Sequence, residues 1–277
     1  MHILLTNDDG YKSRAIEILA DYLLSIGHRV TIAAPEQQQS AKAASITTLT
    51  QNLKVKLKEF TYNNGNAIAF IVKGTPVDAV QFAISYLRMI GDAPDFVISG
   101  INYGNNVGIN SFYSATVAAA QQAALLNIPS MAISYDSFNT DSIGYTYLFS
   151  HLDFLFALEF NLFTKVRNSF ISVNLPEYAS KRLVVTHTGS QFYDIQMSEH
   201  DKFDGFNKER EFKIQGFIES NDEEMNELQV DYYELKGGAI TITPAISSFG
   251  YISKQDNYLL QSVTTYLVED YMQANSK

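Results

Sequence analysis

The chain of 277 residues contains no cysteine. That excludes disulfides, thiolate catalysis and Cys-based zinc sites, and the cytosol is the default compartment. Basic clusters are lacking too. Twenty Lys and Arg face thirty Asp and Glu, for a net charge of -10. A nucleic-acid groove needs gathered positive charge, so no nucleic-acid polymer is expected as a partner. A small phosphate ester is still compatible, provided a cation screens it. Long apolar runs are missing as well. The richest stretch, residues 145–163, is broken by His151, Asp153, Glu159 and Asn161, well short of the roughly 20 apolar residues of a membrane span. The opening residues, MHILLTN, carry neither a basic nor a long apolar segment, so no signal peptide and no membrane association are expected. Internal repeats and low-complexity tracts are not found.

What is present is the composition of a folded globular protein, 46% hydrophobic and 18% charged. Short apolar runs alternate with helical patterns over the first two-thirds. Residues 3–6 (ILLT) read as a buried strand. Ala15, Ile16, Leu19, Ala20 and Leu23 recur at helical spacing, with Gly27 as a stop. Further strands are predicted at 29–34, ended by Pro35, and at 67–72, 96–99 and 131–134. Thr75-Pro76-Val77-Asp78 has the makings of a capping box opening a helix to about residue 90, and 115–126 reads as another helix. This alternation predicts an α/β fold with a Rossmann-like, mostly parallel sheet flanked by helices. Residues 170–173 and 183–186 could extend the sheet. The acid-rich, aromatic segment 200–234 reads as hairpins outside it, with period-2 patterning at Phe212, Ile214, Phe217 and Ile218. Residues 239–243 form a strand that Pro244 should stop, and 256–272 an amphipathic helix suited to subunit exchange.

In such sheets ligands bind beyond the carboxyl ends of strands, which directs attention to three loops. The first is Asn7-Asp8-Asp9-Gly10. Adjacent carboxylates after a buried strand are costly unless a cation or hydrogen bonds compensate them. Oxygen donors without Cys or a nearby His suit one divalent ion such as Mg²⁺, Mn²⁺ or Ca²⁺. The plain alternative is a solvated turn. The second loop, 35–41 (PEQQQSA), offers the Ser40 hydroxyl, and the third runs from Ser99 to Gly108. Its glycines, Gly100 and Gly104 among them, let backbone N–H groups approach an anion. Asn102 could bind phosphate or metal, and Asn106 lies beside it. Ser114 and Thr116 stand at the next helix N-terminus, a natural phosphate site. Asn7 is a further candidate for contacting substrate. Neither the P-loop ending nor the dinucleotide fingerprint is present. His2, His28, His151, His187 and His200 show no ligand spacing and read as structural or surface residues.

Together these segments resemble the SurE survival-protein phosphatases, metal-dependent 5'/3'-nucleotidases. The matching stretches are ILLTNDDGYKS (3–13), AAPEQQQSAKAASIT (33–47), KGTPVDAV (73–80), VISGINYGNNVGINSFYSATVAA (97–119) and NIPSMAIS (127–134). To these is added the spacing from Asp231 to GAITITP (238–244). The resemblance implies one divalent ion held by Asp8, Asp9, Ser40 and Asn102. It also implies a single domain with an α/β core at about 1–190 and 236–250, an extended arm at about 191–235, and an oligomerisation segment at about 251–277, assembling as a homodimer or homotetramer. Departures are Asn110 for a usual aspartate, Ala115 for glycine in Ser-Gly-Thr, Gln122-Ala123 for Glu-Gly, and Ala43-Ala44 in the second loop. They leave the metal residues intact and alter the substrate surroundings.

The expected chemistry is hydrolysis of a phosphomonoester, a nucleoside 5'- or 3'-monophosphate, with Asp8 and Asp9 catalytic and Asp8 orienting or deprotonating water. A covalent aspartyl-phosphate stays chemically open. The competing reading is a metal-dependent nucleotide- or phosphate-binding protein without turnover. A sugar-nucleotide transferase would need a second nucleotide domain, which the last third does not resemble.

Overall fold

The computed structural model describes residues 1–47, 51–137, 143–178, 182–199, 212–219, 229–247 and 254–275. Among these, nine strands form one sheet in the order β3-β4-β2-β1-β5-β6-β7-β11-β8. The central strands β1 (His2–Thr6), β2 (Arg29–Pro35), β4 (Gly65–Lys73), β5 (Phe96–Tyr103), β6 (Ser130–Tyr135) and β7 (Ser169–Leu175) run parallel. The edge strand β3 (Lys54–Tyr62) is antiparallel to β4, and β11 (Ile240–Ile246) is antiparallel to β7 while β8 (Leu183–Val185) runs parallel to β11. A separate two-stranded sheet pairs β9 (Phe192–Glu199) with β10 (Phe212–Glu219). The predicted α/β sheet is therefore present, with antiparallel strands at both flanks.

Side chains alternate across the central strands. Ile3, Leu5, Phe96 and Ile98 face helices α1 (Arg14–Ser25), α4 (Ile143–Lys165) and α6 (Lys254–Ala274). Leu4 and Val97 face α2 (Pro76–Met89) and α3 (Ala115–Leu125). Both faces of the sheet are thus covered, which is why these strands read as unbroken apolar runs. The five apolar positions anticipated on α1 are all buried. Thr75 and Asp78 make the reciprocal capping box, with Pro76 in the first turn. α3 is alanine-rich, so its backbone lies close to the sheet.

Several expectations need correcting. β5 does not end at Ser99 but runs to Tyr103, with a register shift against β6 between Ser99 and Asn102. β11 is not stopped by Pro244, which pairs with Ile171 and is followed by two more paired residues. Segment 231–236 is a short helix, α5 (Asp231–Lys236). The pattern at Phe212 to Ile218 is a strand, but its partner is 192–199, upstream of the segment anticipated. Residues 200–211 and 220–228, including His200, lie outside the described residues. The terminal helix forms as anticipated. No described helix is long and apolar enough to cross a membrane.

Candidate active site at the carboxyl end of the sheet

β1 lies between β2 and β5, and Thr6 is level with Ser99. The Asn7-Asp8-Asp9-Gly10 turn therefore emerges at the carboxyl ends of the sheet, beside the other two loops. Asn7 is fully buried, and its amide closes the turn on itself. Nδ2 donates to the Gly10 carbonyl and Oδ1 accepts from the Gly10 N–H, each at 3.1 Å. Gly10 itself has φ +94°, a conformation that glycine tolerates best. The Gln39 N–H donates to the Asp8 carbonyl at 2.7 Å and the Tyr11 N–H to the Pro35 carbonyl at 3.0 Å, so the second loop is tied to the first. Ser40, next in the chain, is exposed, and its hydroxyl accepts from Gln38 Nε2 at 3.1 Å.

Asp8 is 4% exposed. Its Oδ1 accepts a 2.7 Å hydrogen bond from the hydroxyl of Thr116, on the first turn of α3. Burial raises the Asp8 pKa, and the Thr116 hydroxyl partly opposes that. Asp9 is pushed up to about 7 by burial first and by the neighbouring Asp8 charge second, against the backbone N–H of Tyr103. Its Oδ2 is buried and meets no hydrogen-bond partner. Two adjacent carboxylates, Asp8 buried and Asp9 half-buried, with one orphaned oxygen form an acceptor-only corner whose chemistry suits a cation.

The third loop completes the surroundings. Asn102 Nδ2 donates to the Tyr103 and Gly104 carbonyls at 3.2 and 2.8 Å, which leaves the amide oxygen as the atom available to a cation. Gly100, at φ +140°, has no room for a side chain, because a Cβ there would stand 2.3 Å from the Ile133 carbonyl oxygen. The Gly104 N–H is engaged by the Tyr135 carbonyl at 2.8 Å. Asn106 is held from both ends. Its N–H donates to Asn174 Oδ1 and its Nδ2 to the Ser134 hydroxyl, both at 2.8 Å. Ser114 caps α3, its hydroxyl accepting from the Val117 N–H at 3.1 Å.

Among the described residues, no group of three or more His, Cys, Asp or Glu gathers in one place. A cation held at this corner would therefore take neutral oxygens beside the two carboxylates, and such a set is hard and suits Mg²⁺, Mn²⁺ or Ca²⁺. The described histidines lie elsewhere. His2 Nε2 meets Thr31 Oγ1 at 2.8 Å, and His151 Nδ1 meets the Tyr271 hydroxyl at 2.9 Å.

At the N-terminal end of α3, and lined by none of Asp8, Asp9, Ser40 or Asn102, lies a cavity of about 560 Å³, bordered by Asn106 and Ser114 together with Phe112, Val117, Phe170 and Ile246. Asp231 also borders it, its carboxylate accepting from the N–H groups of Gly108, Gly189 and Tyr232 at 2.8 to 3.0 Å. Of these, Phe112, Phe170 and Ile246 were not singled out in the sequence. A large aromatic within a polar loop is a sequence signal for Phe112 alone, and nothing local marks Phe170 or Ile246.

The mostly parallel sheet, with a paired-carboxylate turn at the carboxyl ends of its strands, defines an α/β protein. A profile of the family described as Survival protein SurE matches residues 3–195, and the chain belongs to that family. The protein named 5'-nucleotidase SurE from Desulfatibacillum aliphaticivorans is 47% identical over 135 residues, 48% of this chain and 50% of that protein. For the same-named protein of Syntrophobacter fumaroxidans the identity is 48% over 50% of this chain and 52% of that protein. The chain thus matches about half the length of those two relatives. Longer matches exist. The Clostridium botulinum 657 protein of the same name is 34% identical over 249 residues, 88% of this chain and 92% of that protein. Among solved structures, the SurE protein from Aquifex aeolicus superposes with a TM-score of 0.67 at 25% identity, over 99% of this chain and 100% of that one.

Proposed function

We propose that the chain is a divalent-metal-dependent phosphomonoesterase that releases phosphate from nucleoside 5'-monophosphates, and from 3'-monophosphates as a further substrate. The observation that carries this reading is the buried, unpartnered Oδ2 of Asp9 beside Asp8. The names of the relatives, 5'-nucleotidase SurE, support the same substrate class. One ion would be held by Asp8, Asp9, Ser40 and Asn102, and when bound it supplies neutralisation of charge developing on the phosphoryl group.

The chain's own groups divide the remaining work. Thr116 occupies Oδ1 of Asp8, so Oδ2 is the atom left for a ligand or for the hydrogen of an attacking water. Burial raises the Asp8 pKa in the protein without a cation, and a bound ion would offset that rise. The first N–H groups of α3, at Ala115 and Thr116, are ones a helix leaves without an intrahelical acceptor, and they would serve as phosphate donors. Ser114, Asn106 and Asn102 flank them, while Asn7 and Gly104 shape the loops through the bonds described above. The 560 Å³ cavity falls within the range of small-ligand sites and would take the nucleoside.

We further propose that the protein is a cytosolic homo-oligomer. Exposed Tyr258 and Tyr266 on α6 support self-association through that helix.

The test is phosphate release from nucleoside monophosphates with Mg²⁺, Mn²⁺ or Ca²⁺, against a chelator control and the Asp8→Asn variant. Turnover should require metal and should fall to near background in the folded variant. Near-normal rates in Asp8→Asn, or metal-independent turnover, would overturn the assignment. Metal-dependent nucleotide binding without phosphate release would instead make the chain a binding protein.

A further inference from the structure

The 3-10 helix Gly108–Tyr113 places three large apolar side chains in solvent, Ile109, Phe112 and Tyr113, and Phe112 is 66% exposed while lining the cavity. An exposed aromatic side chain at a pocket wall, on a backbone that could have turned it inward, is uncovered apolar surface awaiting an occupant. The backbone beneath it is firmly held. The Gly108 N–H donates to Asp231 Oδ2 at 3.0 Å, the Ile109 N–H to the Gln191 carbonyl at 2.9 Å, and the Tyr113 carbonyl accepts from the Ala43 N–H at 3.1 Å. Such pre-organisation keeps the ordering cost of binding low.

The cavity also says what the occupant is. Among the described lining residues there is no Lys or Arg, and the Asp231 carboxylate is already satisfied by three N–H groups. Nothing there selects for a charged group. Val117, Phe170 and Ile246 continue the apolar wall, and Ser114 joins it to the phosphate end.

We propose that Phe112 is the specificity-determining residue of this site, an aromatic plate on which the nucleobase of the substrate stacks. This inference rests on the nucleotidase reading above. Base-on-aromatic stacking is sequence-tolerant, so Phe112 favours nucleotides over other phosphate esters without choosing one base.

The experiment compares adenosine 5'-monophosphate with ribose 5-phosphate, which keeps the ester and the sugar but lacks the base. Wild type, Phe112→Ala and Phe112→Tyr are each loaded with Mn²⁺, and both the Kd by calorimetry and the kinetics are measured. Phe112→Ala should weaken adenosine monophosphate binding about tenfold and raise its KM similarly with kcat nearly unchanged. Ribose 5-phosphate should be unaffected, and Phe112→Tyr should behave as wild type. Equal effects on both ligands, no effect on either, or a wild type that binds the two equally would overturn the inference. A changed oligomeric state of Phe112→Ala with an unchanged Kd would also overturn it, assigning the residue to a subunit contact. Because the Kd does not depend on turnover, absence of phosphate release would count against the nucleotidase reading alone.

Discussion

Thr116 donates its hydroxyl to Asp8 Oδ1 at 2.7 Å across 108 residues of sequence, and both side chains are buried. The bond joins the N-terminus of α3, where phosphate is expected, to the turn where metal is expected. It holds the Asp8 carboxylate at Oδ1, beside the hydrogen bond that group accepts from its own backbone N–H. Thr116→Val keeps the shape and removes the hydrogen. Turnover should fall by about 10- to 100-fold, a loss of orientation rather than of binding, with stability down by about 1–2 kcal/mol for the unsatisfied carboxylate. Thr116→Ser should restore most of kcat. Steady-state kinetics and denaturant midpoints on the three proteins decide this, and equal kcat in wild type and Thr116→Val would show that the bond is only architectural.

Asp9 makes the complementary case. Its carboxylate is disfavoured in the metal-free protein by burial and by Asp8, and its Oδ2 has no partner. Replacing it by a neutral amide removes the repulsion and also the ligand. Asp9→Asn without metal should therefore unfold later than wild type by about 1–2 kcal/mol. Wild type should gain about 2.7 kcal/mol at a Mn²⁺ concentration 100 times its Kd, and the variant should gain little. Thermal midpoints with Mn²⁺ and with chelator give both numbers. A variant stabilised by Mn²⁺ as much as wild type would remove Asp9 from the metal site.

Much of this arrangement could be read from the chain before folding was considered. The buried strands β1, β2, β5 and β6 announce themselves as short apolar runs, and α2 by the local chemistry of Thr75, Pro76 and Asp78. What stayed hidden has physical reasons. β3 is the exception, because KVKLKEFTY alternates Lys with Val55 and Leu57, the period-2 pattern of a strand, and is legible as one although it is an edge strand largely exposed to solvent. α4 is apolar around most of its circumference, packed between the sheet and α6, so it shows no amphipathic period. The loops named their candidate residues, Asp8, Asp9, Ser40 and Asn102, because residue chemistry is local. The Thr116–Asp8 bond and the far cavity wall of Phe170 and Ile246 depend on strand order, which no local pattern encodes.

The end of the fold away from the metal corner offers a pH-dependent test. Glu159 on α4 is completely buried. Its Oε1 accepts a long 3.4 Å hydrogen bond from the Ser130 N–H at the start of β6, and Oε2 has no partner. Burial raises its pKa well above the ordinary value of 4.5, and the Ser130 N–H opposes this only in part. In the folded protein the side chain thus retains its proton to higher pH than in the unfolded chain. Its contribution to stability is fully present below pH 4.5 and is lost as pH rises through the elevated folded value. Over that window the slope approaches about 1.4 kcal/mol per pH unit for one proton. Asp8, Asp9 and Asp231 are raised too and act in the same direction, so the total slope does not isolate Glu159, whereas a comparison with Glu159→Gln does. The amide mimics the neutral acid and cannot ionise. Denaturant midpoints from pH 5 to 9 should fall less steeply in Glu159→Gln, and the variant should become the more stable protein at the alkaline end. Parallel curves would mean that Glu159 does not change its protonation on unfolding.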